Sequence, residues 1–349
     1  MYLEHFGLDD FPFRVTPDMD YLFMSPSHAR ALAYMEYAVL NRDGFVVITG
    51  EIGSGKTTLI KKLLSDIEES VVVAKIFQTQ LDEVELLQAI LVEFGINPFN
   101  AKKVELLNML NQFLIDSYHE GKQVLLVIDD AQNLNKKALE EITMLSGLET
   151  QKEKILHVIL VGQPELNDKL ESPDMEQLLQ RVRLRYHLRV LTEEETRDYV
   201  IHRLKIAGSK GKPLFHEEIY ALIYEFSGGV PRLINTLCDT ALTCTYAEEK
   251  EDVGSSEFSG VIDELQWETY SERNKNYSLL EESLYDERTT DGDARNRSSQ
   301  SDPVLYRTLI DITRQLTRIA DCLEQKNKFV TDLSESITVK ENTSKKQKN

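Results

Sequence analysis

Residues 45–58 read FVVITGEIGSGKTT. Within them Gly50-Glu51-Ile52-Gly53-Ser54-Gly55-Lys56-Thr57 fits the pattern G-x-x-x-x-G-K-[ST] without a gap. An apolar run of strand length precedes the pattern, and TLIKKLLSDI, residues 58–67, follows it with helical period. The chemistry requires that context. Glycines let the main chain curl until successive N–H groups face an anion, and the next helix points its positive end at the same spot. Lys56 is placed to reach the β- and γ-phosphates of a nucleoside triphosphate, and the Thr57 hydroxyl to ligate Mg²⁺. The expected phosphate-binding set is Gly50, Glu51, Ile52, Gly53, Ser54, Gly55, Lys56, Thr57 and Thr58.

Working outward, strand-length apolar runs recur at residues 71–77, 124–128, 155–161 and 185–190, separated by helical patterns such as 81–94 and 104–118. This alternation predicts an α/β domain built on a five-stranded parallel sheet with helices on both faces. The run VLLVIDD, residues 124–130, ends in two carboxylates. Alone, such an ending is usually a turn or helix cap. Downstream of a phosphate loop in this strand order, Asp129 reads as a carboxylate of the Mg²⁺ shell. Asp130 reads as the group that orients or deprotonates an attacking water. Gln163 closes the fourth run, either as a γ-phosphate contact or as a plain strand-end amide. Arg181 either supplies charge to a neighbouring subunit's nucleotide or is a surface residue, and Arg183 and Arg185 compete for the role. Arg232, in Gly228-Gly229-Val230-Pro231-Arg232, either touches the γ-phosphate in cis or sits solvated in an N-terminal proline turn. Phe11, Phe13 and Tyr21 either flank a base or pack the body.

Beyond residue 190 the pattern is wholly helical. Thr192 with Glu195 reads as a capping box opening a helix to about residue 207, and further helices are expected near 216–226 and 231–247. The expected organisation is a nucleotide-binding domain over 1–190, including an N-terminal segment 1–40, and a helical lid over 191–250. An acidic flexible linker over 251–302, a short heptad helix over 303–326 and a disordered tail over 327–349 complete it. Inside the linker, Val261, Ile262, Leu265 and Trp267 form an apolar island that reads as a short docking helix. The 349 residues carry a net charge of −19 with a pI of about 4.9, a poor match for nucleic acid or an anionic bilayer. Cys238, Cys244 and Cys322 form no CxxC pair, which argues against zinc and for a reducing compartment. No apolar run is long enough to span a membrane, and the start MYLEHFGLDDFPF lacks a signal-peptide pattern. The expected location is cytoplasmic, with peripheral attachment at the inner membrane left open.

Several blocks carry a family resemblance: FGLDDFPFRVTPDMDYLF, HARALAYMEYAV, GFVVITGEIGSGKTT, VIDDAQNL, GQPEL, LLQRVRLRYHL and SGGVPRLINTLCD. In this order over about the first 250 residues, they resemble the ATPases of the general secretion pathway protein A family, within the AAA superfamily. AYMEYAV, ITGEIGSGKTTL and SPDMEQLLQRV are similar to the ATPases encoded with exosortase and exopolysaccharide export systems. The resemblance implies a P-loop NTPase fold of the AAA type, with ATP and Mg²⁺ held between the sheet domain and the lid. It implies ATP hydrolysis in a motor or assembly factor for envelope export, sensor roles for Gln163 and Arg232, and a trans arginine at Arg181. It also implies homo-oligomers, with a ring as one form, and an envelope-system protein partner; the C-terminal heptad seam itself reads as a contact for a partner helix or for self-association. Two departures stand out. The family usually has Asp-Glu where this chain has Asp129-Asp130, and longer secretion-type members carry a membrane span and a peptidoglycan-binding domain that are not visible here. A nucleotide-gated scaffold with little turnover and a transposition-type DNA-associated regulator are the alternatives, the latter disfavoured by the charge.

Overall fold

Valine, isoleucine and leucine fill the strands, and their side chains alternate between two packed faces. The computed structural model describes residues 2–275 except 41–44, 69, 78, 150–152, 210 and 212, so the heptad seam and the expected tail lie outside the described residues. In chain order the elements are α1 (Tyr2–Phe6), α2 (Pro26–Leu40), β1 (Phe45–Gly50), α3 (Lys56–Asp66), β2 (Val71–Ile76), α4 (Glu83–Glu93), α5 (Lys103–His119) and β3 (Gln123–Ile128). Then come α6 (Lys136–Leu145), β4 (Leu156–Gly162), α7 (Glu165–Glu171), α8 (Glu176–Arg181) and β5 (Leu184–Leu188). The chain continues with α9 (Glu193–Ile206), α10 (Glu217–Ser227), α11 (Pro231–Ala247) and α12 (Ser255–Leu265).

The five strands form one parallel sheet in the order β2-β3-β4-β1-β5. One sheet face buries Val47, Leu126, Val158 and Leu160 against α4, α5 and α6. The other buries Val46, Ile48, Leu125, Val127 and Ile159 against α2 and α3. Strands β1, β3 and β4 are buried almost throughout, as interior strands covered on both faces must be. Edge strand β5 alternates half-buried and exposed residues up to the buried Leu188 at its end. β1 leads through α3 toward β2 at one end of the sheet, and its neighbour β4 leads through α7 and α8 to β5 at the other, so the two connections diverge and leave a crevice at the carboxyl ends of β1 and β4. That is where an open α/β sheet binds ligands.

A second core belongs to the helical body, and the N-terminal segment divides between the two cores. Tyr2, Leu8, Phe13 and Tyr21 are buried with Val200, Ile223, Leu237 and Phe258, whereas α2 lies on the sheet. Thr192 caps α9 by accepting from the Glu195 N–H, with the Glu195 side chain returning to the Thr192 N–H. The window from residue 251, expected as linker, opens instead with ordered chain. Val253, Phe258 and Val261 are buried; Val261, Ile262 and Leu265 of the expected docking helix fall in α12, and Trp267 packs on the same core just beyond it. Charge dominates that window's composition, but the i, i+3 spacing of Phe258 and Val261 suffices to dock one helix.

The turn between α10 and α11 is the most constrained point of the helical body. Gly228 and Gly229 both have positive φ, 59° and 72°, and the Gly229 carbonyl accepts from Leu191 N–H at 2.9 Å. A Cβ on Gly229 would lie 1.9 Å from the Leu191 carbonyl oxygen. Gly229→Ala is expected to cost about 2–4 kcal/mol of stability, combining a disfavoured backbone with an unavoidable clash. A urea midpoint unchanged from the parent would refute this account of the turn.

Candidate nucleotide-binding site

The loop after β1 turns back on itself through two left-handed glycines, Gly53 at φ 81° and Gly55 at φ 99°. Gly55 is the N-cap of α3, so the unpaired N–H groups of that helix open onto the loop's concave side. Close approaches explain the glycines. A Cβ on Gly50 would lie 2.9 Å from the Leu188 carbonyl oxygen on β5, and one on Gly53 would lie 2.5 Å from the Arg232 Cβ.

Lys56 is buried, and its ammonium donates to the carbonyls of Gly50 at 2.8 Å and Glu51 at 2.9 Å. An ammonium has three protons, so one donor remains for a ligand. Burial draws the Lys56 pKa below the ordinary lysine value, an effect opposed by the nearby charges of Asp129 and Asp130. Thr57 donates its hydroxyl proton to Asp129 Oδ2 at 2.7 Å. Asp129 closes β3 and is itself buried; its other oxygen accepts from the Asp130 N–H at 3.0 Å. Burial raises the Asp129 pKa; the Thr57 hydrogen bond works against that rise, and the adjacent Asp130 adds to it.

Asp130 sits in the left-handed region at φ 52°, ψ 38°. Its carbonyl accepts from the Thr79 hydroxyl at 3.0 Å and from the Asn133 N–H at 3.0 Å, which holds the unusual conformation. Gln132, unnoticed in the sequence, links two expected site residues. Its amide nitrogen donates to Asp130 Oδ1 at 3.2 Å, and its amide oxygen accepts the Gln163 N–H at 3.0 Å.

One cleft of about 510 Å³ brings together Ile52, Gly53, Gly55, Lys56, Thr57, Thr58, Asp129, Asp130, Gln163 and Arg232. Arg232 enters from the first turn of α11, where its N–H donates to the Gly53 carbonyl at 3.3 Å. The far wall comes from residues 14–23 and the helical body. There the buried Arg203 lies over the Tyr21 ring at 4.8 Å, donates to the Tyr199 hydroxyl at 2.8 Å and donates to the Pro12 carbonyl. Tyr199 in turn donates to Asn235 Oδ1 at 2.8 Å. Of the three N-terminal aromatics, Tyr21 lines the cleft, whereas Phe11 and Phe13 pack edge-on against Tyr2 and Phe215.

The other basic candidates stand elsewhere. Arg181 donates to the Thr143 carbonyl at 2.5 Å at the end of α6 and lines a separate cavity of about 330 Å³ together with Arg183. Arg185 on β5 bonds Asn167 and Glu171.

The residues present fit a magnesium-bound nucleotide. Thr57 and Asp129 offer the hard oxygen donors that Mg²⁺ takes, and the Ser54 hydroxyl is buried in the loop without a partner among the described residues. Among the described residues no helix is long and apolar enough to cross a membrane.

Comparison with known proteins agrees with this fold. Residues 40–170 match the model of an AAA domain. General secretion pathway protein A of Aeromonas hydrophila is 37% identical over 277 residues, which cover 77% of this chain and 50% of that protein. The chain therefore spans about half the length of this relative. Among solved structures, the ORC2 protein of Aeropyrum pernix in its ADPNP-ADP complexes superposes with a TM-score of 0.53 at 18% identity, covering 69% of this chain and 68% of that one. Cdc6p from Pyrobaculum aerophilum does so with a TM-score of 0.54 at 15% identity, covering 75% and 70%. At such identities the similarity concerns the fold alone. This chain carries an AAA domain with a P-loop nucleotide-binding fold and is homologous over 77% of its length to general secretion pathway protein A.

Proposed function

We propose that this protein binds Mg-ATP in the cleft and hydrolyses it to ADP and phosphate, acting as a motor or assembly factor for a bacterial envelope secretion system. The observation that carries the reading is the Thr57–Asp129 hydrogen bond at 2.7 Å beside the buried Lys56. Bound Mg²⁺ would supply neutralisation of charge on the β- and γ-phosphate oxygens, with Thr57 and Asp129 holding it. The chain's own residues do the rest. Loop N–H groups and Lys56 bind and orient the polyphosphate, Gln163 and Arg232 contact its terminal group, and Asp130 takes a proton from water attacking in line. The blocks shared with exosortase- and exopolysaccharide-linked ATPases favour that branch of export. In this reading the protein works on the cytoplasmic side, peripheral to the inner membrane, as an ATP-dependent homo-oligomer in which Arg181 serves a neighbour's nucleotide. The segment beyond residue 300 engages the envelope partner.

A second reading, a nucleotide-gated scaffold with little turnover, draws on Asp130. Its side chain is one methylene shorter than the family's usual glutamate, and one oxygen already accepts from Gln132. Phosphate release distinguishes the two. Lys56→Ala should lower the rate by about a hundredfold or more, the scale of losing a main transition-state charge contact. Asp130→Glu should raise the rate above that of the parent. A parent that binds ATP yet releases phosphate no faster than Lys56→Ala leaves only the scaffold. Separately, deleting residues 300–349 should leave nucleotide affinity unchanged; its loss, seen by calorimetry, would contradict the assignment of binding to the body alone.

A further inference from the structure

We propose that His28 is a positioning residue of the phosphate loop, holding the Ser54–Gly55 peptide so that the Gly55 N–H faces the polyphosphate. The proposal rests on the ATP-binding reading of the cleft. His28 stands in the first turn of α2, an element otherwise packed beside α3 on one face of the sheet, and it is 3% exposed. Its Nδ1 lies 2.7 Å from the Ser25 hydroxyl and its Nε2 lies 2.9 Å from the Ser54 carbonyl oxygen.

These contacts fix the tautomer. Ser25 Oγ accepts the His28 backbone N–H at 3.3 Å, which leaves the hydroxyl proton free to point at Nδ1. Nδ1 is then the acceptor, and Nε2 carries the proton donated to Ser54. Burial holds the His28 pKa below the ordinary histidine value, consistent with a neutral ring.

The consequence for the ligand follows from peptide planarity. Every described peptide is trans, and in a trans peptide the C=O and the following N–H point in opposite directions. Drawing the Ser54 carbonyl toward His28 therefore turns the Gly55 N–H away from the imidazole, into the turn before α3; both Gly55 and His28 line the cleft. That N–H has no backbone acceptor among the described residues. It is one of the donors an anion-binding turn needs. The same contact accounts for glycine at position 55. With φ at 99°, a Cβ there would lie 2.9 Å from His28 Nε2. Without the imidazole, the Ser54–Gly55 peptide is free to rotate, and the turn loses an aimed donor to a charged acceptor.

The test uses the full chain and calorimetric titration with Mg-ATP. The variants are His28→Gln, whose amide N–H reaches as far as Nε2, His28→Asn, one methylene too short, and the apolar His28→Leu. Thermal midpoints are taken without nucleotide, and Lys56→Ala serves as the non-binding control. His28→Gln should bind within about threefold of the parent. His28→Asn and His28→Leu should bind about tenfold or more weakly, the scale of one hydrogen bond to a charged group. The Gln–Asn comparison keeps the chemistry constant, so it holds even where the apolar variant fails to fold. Parent-like affinity in His28→Asn, or His28→Gln as weak as His28→Asn at equal thermal midpoints, would overturn the assignment. A parent chain that takes up no Mg-ATP would instead bring down the reading of the cleft itself.

Discussion

The Thr57 hydroxyl and the Asp129 carboxylate belong to segments far apart in the chain, and the topology of the sheet brings them together. Asp129 follows β3, Thr57 opens the helix after β1, and β4 lies between those strands. For the contact to form, β1 must enter the sheet beyond β4 and end level with β3. The register does this: Ile128 aligns with Leu160 and Thr49 with Gly162, so both strands finish near the same edge. The loop is then gripped from several sides, by Leu188 behind Gly50, His28 behind Gly55 and Arg232 over Gly53. Each grip removes room for a side chain, and glycine stands at each of the three positions.

The same arrangement places opposing charges in a poor solvent. Burial disfavours the charged form of both Lys56 and Asp129, while each group's field favours the charge of the other. Two carboxylates side by side add repulsion that one ammonium does not cancel. A body of this kind gives up some stability at its cleft in order to receive a cation and a polyanion there. Asp130 adds backbone strain, a non-glycine residue at φ 52° whose carbonyl is secured by Thr79 and Asn133.

Much of this was legible in the sequence, because the phosphate loop and the apolar strands are local patterns. The five strand-length runs fall on the five strands, and residues 231–247 match α11. The phosphate loop, Asp129 and Asp130 meet in one cleft with Gln163 and Arg232. His28 and Gln132 could not be found this way. Neither belongs to a spacing with chemical meaning, and each acts through a partner, 26 and 31 residues distant, that only the fold supplies. The division of the N-terminal segment was hidden for a similar reason. Aromatics at Phe11, Phe13 and Tyr21 have no periodicity that tells which of two cores will bury them, whereas the apolar island of α12 stood out from the acidic composition around it.

The glycine pair before α11 ties the nucleotide cleft to the chain that leaves the helical body. Leu191 holds Gly229 from one side, and the Tyr270 ring covers Gly228 from the other, where a Cβ would come within 2.2 Å of the ring. Arg273 reinforces that cover, donating to the Phe226 carbonyl at the end of α10 and lying over the Trp267 ring at 4.6 Å. Three residues beyond Gly229, the Arg232 N–H bonds the phosphate loop at Gly53. These contacts form a continuous sequence from residues 267–273 to Gly53. Small residues at a turn ordinarily make a hinge loose. Here the space they leave is filled by an aromatic ring and a carbonyl, so the turn is tight, and it joins the contacts of residues 267–273 to those of the phosphate loop.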